Sequence, residues 1–461
     1  MSLPLEPRDG VAPVAVTGEF AVPAALVDGS LPRTIARMAL PAVASMLLMT
    51  VFSTADAFWV GRHIGASGLA AVSTSLFWIW MILSGADMVS VGLTAVASRR
   101  HGEGRPGHAA RAVGDTVVFA VALAAAIALA GHAALARMFA MMDTPRDVTA
   151  LGERYLGTYL LGAPLIFGFF AVDAGFRASG DTRTPFIILL VSVAAALVLD
   201  PVLILGLGGF PRLGITGAAL ATVSTRAAAF VVGVWLLARR GLIRVGVPSP
   251  EVVGAVTRVG LPTAMTGVIF SVVYVLLTRT TTTFGTPALA ALGVGHRVES
   301  WTFMIGVGFA AATAAIVGQN IGARQLDRAS HTGWLATRYA TAIGVVGAAA
   351  EYLVAPQLAG FFTHDPGVIV EATRYLRIAS VSTLFSGAEL VLEGALGGAG
   401  STLPPMLTST TLTVLRLPLA AWAAQRWGTA GIWWTISLTA VGRGVAMVVL
   451  WRSGRWRRRM V

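Results

Sequence analysis

Residues 184–208 read TPFIILLVSVAAALVLDPVLILGLG, an almost unbroken apolar run with a single acid, Asp200, set just before Pro201. A helix crossing a bilayer needs about 20 apolar residues, each adding about 1.5 Å. This run is long enough, and similar runs recur along the whole chain. The 461 residues are 56% hydrophobic and only 12% charged, with a mean hydropathy of +0.75. A soluble domain carries about 25% charged residues, so soluble, disordered and fibrous classes are excluded. The chain reads as an all-α integral membrane protein.

Working outward from that run, twelve spans are expected at 36–61, 69–98, 112–139, 151–176, 184–208, 214–238, 252–278, 287–318, 332–357, 369–397, 404–424 and 428–451. Residues 1–33 read as a flexible cytosolic tail, 34–245 as an N-terminal six-helix bundle, 246–451 as a C-terminal six-helix bundle, and 452–461 as a basic cytosolic tail. All 34 basic residues are arginine, and the net charge is +12. Clusters such as Arg99, Arg100, Arg105 and Arg111, Arg239, Arg240 and Arg244, and the C-terminal Arg452–Arg459 fall on one side of the spans. The positive-inside rule then puts both termini in the cytoplasm, which an even number of spans requires. A multi-pass protein of a bacterial inner membrane is expected, and the charge marks orientation rather than nucleic acid, since no basic stripe interleaves with aromatics.

The halves repeat at a shift near 220 residues. Leu40-Pro41 recurs as Leu261-Pro262, and Gly65-Ala-Ser-Gly-Leu69 as Gly285-Thr-Pro-Ala-Leu289. Gly180-Asp-Thr-Arg-Thr-Pro185 recurs as Gly400-Ser-Thr-Leu-Pro-Pro405, and Gly214-Ile-Thr-Gly217 as Gly428-Thr-Ala-Gly431. Six spans followed by six with the same starting side form a parallel repeat, an arrangement typical of transporters whose two bundles rock about a central cavity.

Several motifs resemble one family. Ala55-Asp56-Ala-Phe-Trp-Val-Gly61, Phe176-Arg-Ala-Ser-Gly-Asp-Thr-Arg-Thr-Pro185, Leu199-Asp200-Pro201, Gly214-Ile-Thr-Gly-Ala-Ala-Leu-Ala-Thr222 and Val317-Gly-Gln-Asn-Ile-Gly-Ala323 resemble multidrug and toxic compound extrusion (MATE) transporters, most of all the DinF-like branch. The resemblance covers about residues 34–450. It implies export of drugs or metabolites driven by a proton or sodium gradient, with coupling acids in the N-terminal half. Two departures from that branch stand out: Asp173 occupies a position where it usually has asparagine, and Ala196 another. The loss of the second amide disfavours sodium and favours proton coupling.

Ionisable groups within spans are costly and mark candidate sites. Asp56 and Asp200 lie at matching depth toward the outer side, with Thr222 and Tyr155 at compatible depth, and are read as the proton- or cation-coupling pair. A carboxylate in a low-dielectric bundle takes up a proton readily, more so beside a second carboxylate. The anion then holds a cationic substrate, and protonation from outside releases it. The plainer reading of either acid is a helix-end cap. Asp173 stands one turn before Arg177, so a local ion pair competes with a cavity role. Asp87, in the middle of its span, lines a cavity or forms a buried pair. Glu389 and Glu393, at i and i+4, share one helix face; Arg416 is the expected counter-charge, with a second cation site as the sharper reading. His296, Arg297 and Glu299 are expected to pair among themselves. Met46, Met49 and Met81, with Phe52, Phe58, Trp78 and Trp80, either pad a promiscuous cavity or simply face lipid.

Two rival functions compete with export. A lipid-linked saccharide flippase shares the duplicated architecture but calls for a strongly cationic cavity. Here the intramembrane acids outnumber the in-span arginines 226, 279, 297, 338, 416 and 443. An integral-membrane enzyme would need a nucleophile or metal set, and His-Glu-x-x-His, Gly-x-Ser-x-Gly and cysteine are all missing from the sequence. The expectation is a monomeric antiporter without metal or organic cofactor. Its partners would be the lipid bilayer and small cationic or amphipathic substrates.

Overall fold

A computed structural model describes residues 26–142 and 145–458, and its regular structure is helical throughout. The first six long helices are α1 (Leu31–Ile64), α2 (Ala66–Gly102), α3 (Pro106–Ala140), α4 (Arg146–Ser179), α5 (Arg183–Leu205) and α6 (Ile215–Arg239). The second set is α7 (Pro250–Thr282), α8 (Thr286–Gly322), α9 (Leu326–Leu353), α10 (Ala355–Phe362), α11 (Pro366–Gly398), α12 (Leu403–Trp427) and α13 (Thr429–Arg452). Ten helices are long and apolar enough to span a membrane on their own. The α9–α10 pair supplies another span, bent by 76°. The ninth run expected at 332–357 crosses this bend. Pro356 opens α10, lacks an N–H, and ends the straight helix just before it. The twelfth span is α12, whose Thr408, Thr410 and Thr411 lower its hydropathy. Its Ser409, Thr413, Arg416 and Ala420 are buried at helical spacing, so one polar stripe of the helix faces protein.

Packing repeats between the halves. Helix α4 runs through the first bundle against α2, α3 and α6, with α5 on α6 and α1 on α5. In the second, α11 packs on α8, α9 and α13, with α12 on α13 and α7 on α12. Between the bundles, α1 meets α8, α7 meets α2, and α2 meets α8. Glycines permit these crossings. A side chain at Gly92 would meet the Val256 carbonyl, at Gly260 the Met88 carbonyl, and at Gly308 the Val43 backbone.

The face carrying Leu26 and Trp456 is closed. Leu26 is fully buried against Gly180, donates its N–H to Gln319 Oε1 at 3.0 Å, and accepts at its carbonyl from Asn320 Nδ2 at 3.3 Å. Gln319 in turn donates to the Ala178 carbonyl at 2.7 Å. The flexible tail expected through residue 33 therefore ends sooner, because Leu26 has a leucine-sized seat and α1 begins at Leu31; residues 1–25 lie outside the described residues. At the other end Trp456 is buried and stacks on Trp451, with ring centroids 4.1 Å apart. The connection between bundles is docked on α3. Arg244 N–H donates to the Ala110 carbonyl at 2.9 Å, and buried Asp115 accepts from Arg111 and from the Ser249 N–H.

Candidate functional site

The end of the first bundle remote from Leu26 gathers three of the four groups expected together. Asp56 on α1 is 6% exposed, and the Tyr155 phenol of α4 donates a hydrogen bond to its carboxylate. Its Oδ1 has no hydrogen-bond partner. Asp200 on α5 is 0% exposed, and neither of its oxygens has a partner. The two acids are near enough to act on each other electrostatically. Pro201 follows Asp200 inside α5 and removes one backbone hydrogen bond where the acid sits. Ala196, one turn earlier, is buried and offers no ligand atom. The half-buried Thr222 of α6 joins them only by depth. Its carbonyl accepts from Thr225, and no hydrogen bond ties its hydroxyl to either acid among the described residues.

Buried carboxylates without donors are among the costliest arrangements in a protein interior. One bound proton or cation would relieve the cost, and the paired acids provide a place for it.

One turn deeper, Phe52 of α1, Tyr159 of α4 and Arg226 of α6 form a second tier. Arg226 is one of the in-span arginines of the sequence, and its contacts with Phe52 and Tyr159 give it this place. Deeper still, Asp173 and Arg177 form the local ion pair at 2.8 Å, and Arg177 also donates to Ser90 at 2.7 Å. Asp87 is accessible at its surface yet surrounded by protein, within electrostatic range of Arg177.

In the second bundle the expected counter-charge is joined by a closer one. Arg443 of α13 lies 3.3 Å from Glu389. Arg416 donates to Thr439 at 2.9 Å and stays within electrostatic range of Glu389. Glu393 is half-buried on the same face as Glu389. The expected His296–Arg297–Glu299 group is not self-contained. Glu299 accepts from Tyr375 at 2.8 Å, His296 is 3.9 Å away, and Arg297 is exposed. Glu351 of α9 was missed altogether. It is 2% exposed, accepts from Thr383 at 2.6 Å, and leaves Oε1 unpartnered. A signal for this cluster existed, since Tyr375 follows Tyr155 by 220 residues, the spacing of the repeat. Each phenol binds an acid, though from different helices of its bundle.

Comparison with known proteins matches this architecture. The probable multidrug resistance protein NorM of Thermotoga maritima is 27% identical over 93% of this chain and 94% of its own length. A Shewanella oneidensis FAD transporter is 25% identical over 92% of this chain and 95% of its own. Among solved structures, a Vibrio cholerae MATE transporter aligns with a TM-score of 0.85 at 21% identity, covering 93% of this chain and 99% of that one. A Pyrococcus furiosus transporter of the MOP superfamily, described as having reversed binding-pocket polarity and a different function, aligns with a TM-score of 0.86 at 22% identity, covering 93% and 96%. These structural likenesses speak for the fold. The MatE family model matches twice, over residues 41–202 and 262–422. With both halves matched and the twelve-helix duplicated fold in place, the chain belongs to the MatE family of membrane transporters.

Proposed function

We propose that this transporter is a proton-coupled antiporter that exports cationic or amphipathic compounds by alternating access. The observation that carries this reading is the Asp56–Asp200 pair, buried together in one bundle with three carboxylate oxygens unpartnered. In the anionic state the pair holds a cation. Protons arriving from outside neutralise the carboxylates and release it, and the emptied, protonated site is free to turn inward. One charge moved across 100 mV supplies about 2.3 kcal/mol, enough to hold a substantial gradient of substrate. Protons are favoured over sodium because Ala196 supplies no oxygen beside Asp200. The closed face bearing Leu26 is then cytosolic and the acid tier lies nearer the outside. The names of relatives such as NorM agree with multidrug export.

The test is uptake of a fluorescent lipophilic cation by everted vesicles while pH and sodium are varied separately. Uptake should follow the proton gradient and ignore sodium, and Asp200→Asn should reduce it to the level of empty vesicles without lowering the amount of folded protein. Asp56→Asn should act alike, and the double variant should be no worse than either single one. Gradient-independent uptake would overturn the coupling. Wild-type uptake by the Asp200 variant would overturn the site.

A further inference from the structure

Arg226 is a buried cation without a counter-charge. It is 6% exposed, and among the described residues no carboxylate lies within ion-pair distance of it. Its Nη1 has no hydrogen-bond partner, and Nη2 meets only the Met49 thioether sulfur, at 2.8 Å. The guanidinium lies over the Phe52 and Phe169 rings, at 5.8 and 5.9 Å. Weak acceptors and ring faces compensate a buried charge poorly, since removing an ion from water costs several kcal/mol. The group therefore has donors to offer. Met49 is 36% exposed, so the thioether is a soft, movable neighbour rather than a fixed partner.

Position gives this donor a meaning. Phe52 precedes Asp56 by four residues on α1, and Tyr159 follows Tyr155 by four on the oppositely directed α4. Both steps are one helical turn, so the guanidinium tier lies about 5–6 Å deeper than the acid tier. The first bundle thus places an unpaired cation one turn beneath two unpaired anions. We propose that Arg226 is an anion subsite of the transport cavity, and that the protein takes zwitterionic substrates whose carboxylate reaches Arg226 while the cationic end reaches Asp56 and Asp200. Guanidinium suits this task because its planar fork binds a carboxylate in two parallel hydrogen bonds.

The inference rests on the drug-cavity reading above but not on its coupling, so direct binding tests it separately. The probes are rhodamine B, zwitterionic at neutral pH through its free carboxylate, and rhodamine B ethyl ester, in which that carboxylate is masked. Binding to purified protein in detergent is followed by fluorescence polarisation. Arg226→Gln should weaken rhodamine B by about tenfold or more, the scale of a lost charge-assisted bond, and change the ester by less than about twofold. Arg226→Lys should retain part of the preference, because the charge remains while the fork is lost. Equal losses for both probes, an unchanged affinity of Arg226→Gln for rhodamine B, or no binding of rhodamine B by the unaltered protein would each overturn the subsite. Binding of the ester with proton-independent transport would instead count against the coupling and leave Arg226 standing.

Discussion

Asp181, in the turn between α4 and α5, joins elements on the aqueous side through one carboxylate. Its Oδ1 accepts the N–H groups of Arg183 and Thr184, each at 2.9 Å. Its Oδ2 takes the Thr184 hydroxyl at 2.5 Å and the Arg240 guanidinium at 2.6 Å. Partial burial works to raise its pKa, but these donors outweigh burial and hold it below the ordinary 3.8. A folded-state pKa below the unfolded one gives stability that is complete above the unfolded value and disappears as pH falls through the folded one. Asp181→Asn should therefore cost about 1 kcal/mol at neutral pH, allowing for solvent screening, and the gap to the unaltered protein should close in acid below 3.8. Thermal unfolding in detergent across that range reads this directly, and a gap constant with pH would contradict it. The Glu389–Arg443 pair makes a different prediction, because both partners are largely enclosed. Glu389→Gln removes the nearest carboxylate from an enclosed guanidinium, with Glu393 still in electrostatic range, and should cost about 1.5–3 kcal/mol, while the double variant Glu389→Gln with Arg443→Met should recover most of it. If the double variant is as unstable as the single one, the pair is not what holds these helices together.

At the scale of helices, the crossings between bundles depend on backbone reaching backbone. Gly92 of α2 and Gly260 of α7 exchange close approaches, each against a carbonyl of the other helix. Gly260→Val should force these helices apart and cost about 1–3 kcal/mol, with efflux falling alongside the unfolding midpoint. Gly254→Ala on the same α7, where an added side chain meets nothing within 4 Å, should be neutral and serves as the control. Span number was legible in the sequence because apolar length is a one-dimensional property. Helix ends were less so: α8 runs Thr286–Gly322 against an expected 287–318, since a helix continues beyond hydrocarbon where polar residues suit it. The bend at Pro356 escaped because a hydropathy window averages across a single proline. Depth along a helix placed Asp56, Tyr155 and Asp200 together. Rotation about the helix was not readable for α12 and α13, so Arg416 was expected as the counter-charge of Glu389 or Glu393, whereas Arg443 makes the close pair and Arg416 acts on Glu389 only at longer range while donating to Thr439. Glu351 was hidden by its place near the end of α9, where an acid reads as interfacial until the packing of α11 shows it enclosed.

For the whole molecule, the named hydrogen bonds between the bundles lie on the face that carries Leu26 and Trp456. Leu26 bonds to Gln319 and Asn320, Gln319 to Ala178, Arg328 to the Asp28 carbonyl, and Arg111 and Asp115 to the connection at Val247 and Ser249. The alternating access proposed above would require that face to part, and the two groups of bonds differ in what parting would break. The connection at 244–249 is covalently continuous with both bundles and docks on α3 alone, so it can ride with the first bundle. The Gln319 side chain bonds on one side to α4 and on the other to the segment preceding α1, so separating α4 from α8 must break it. Gln319 is thus the polar bolt of the closed state. The protein has no cysteine, so paired cysteines can be introduced without a background. With Ala178→Cys and Gln319→Cys joined by a short bifunctional thiol reagent, efflux should stop while each single variant retains it, and reduction of a cleavable linker should restore it. Gln319→Ala, which removes the bonds and links nothing, should instead raise labelling of a cysteine at Ala178 by a membrane-impermeant maleimide applied to the side that carries Leu26. Transport at the normal rate by the linked protein would show that the bundles do not separate here, and the closed face would then be a fixed hinge rather than a gate.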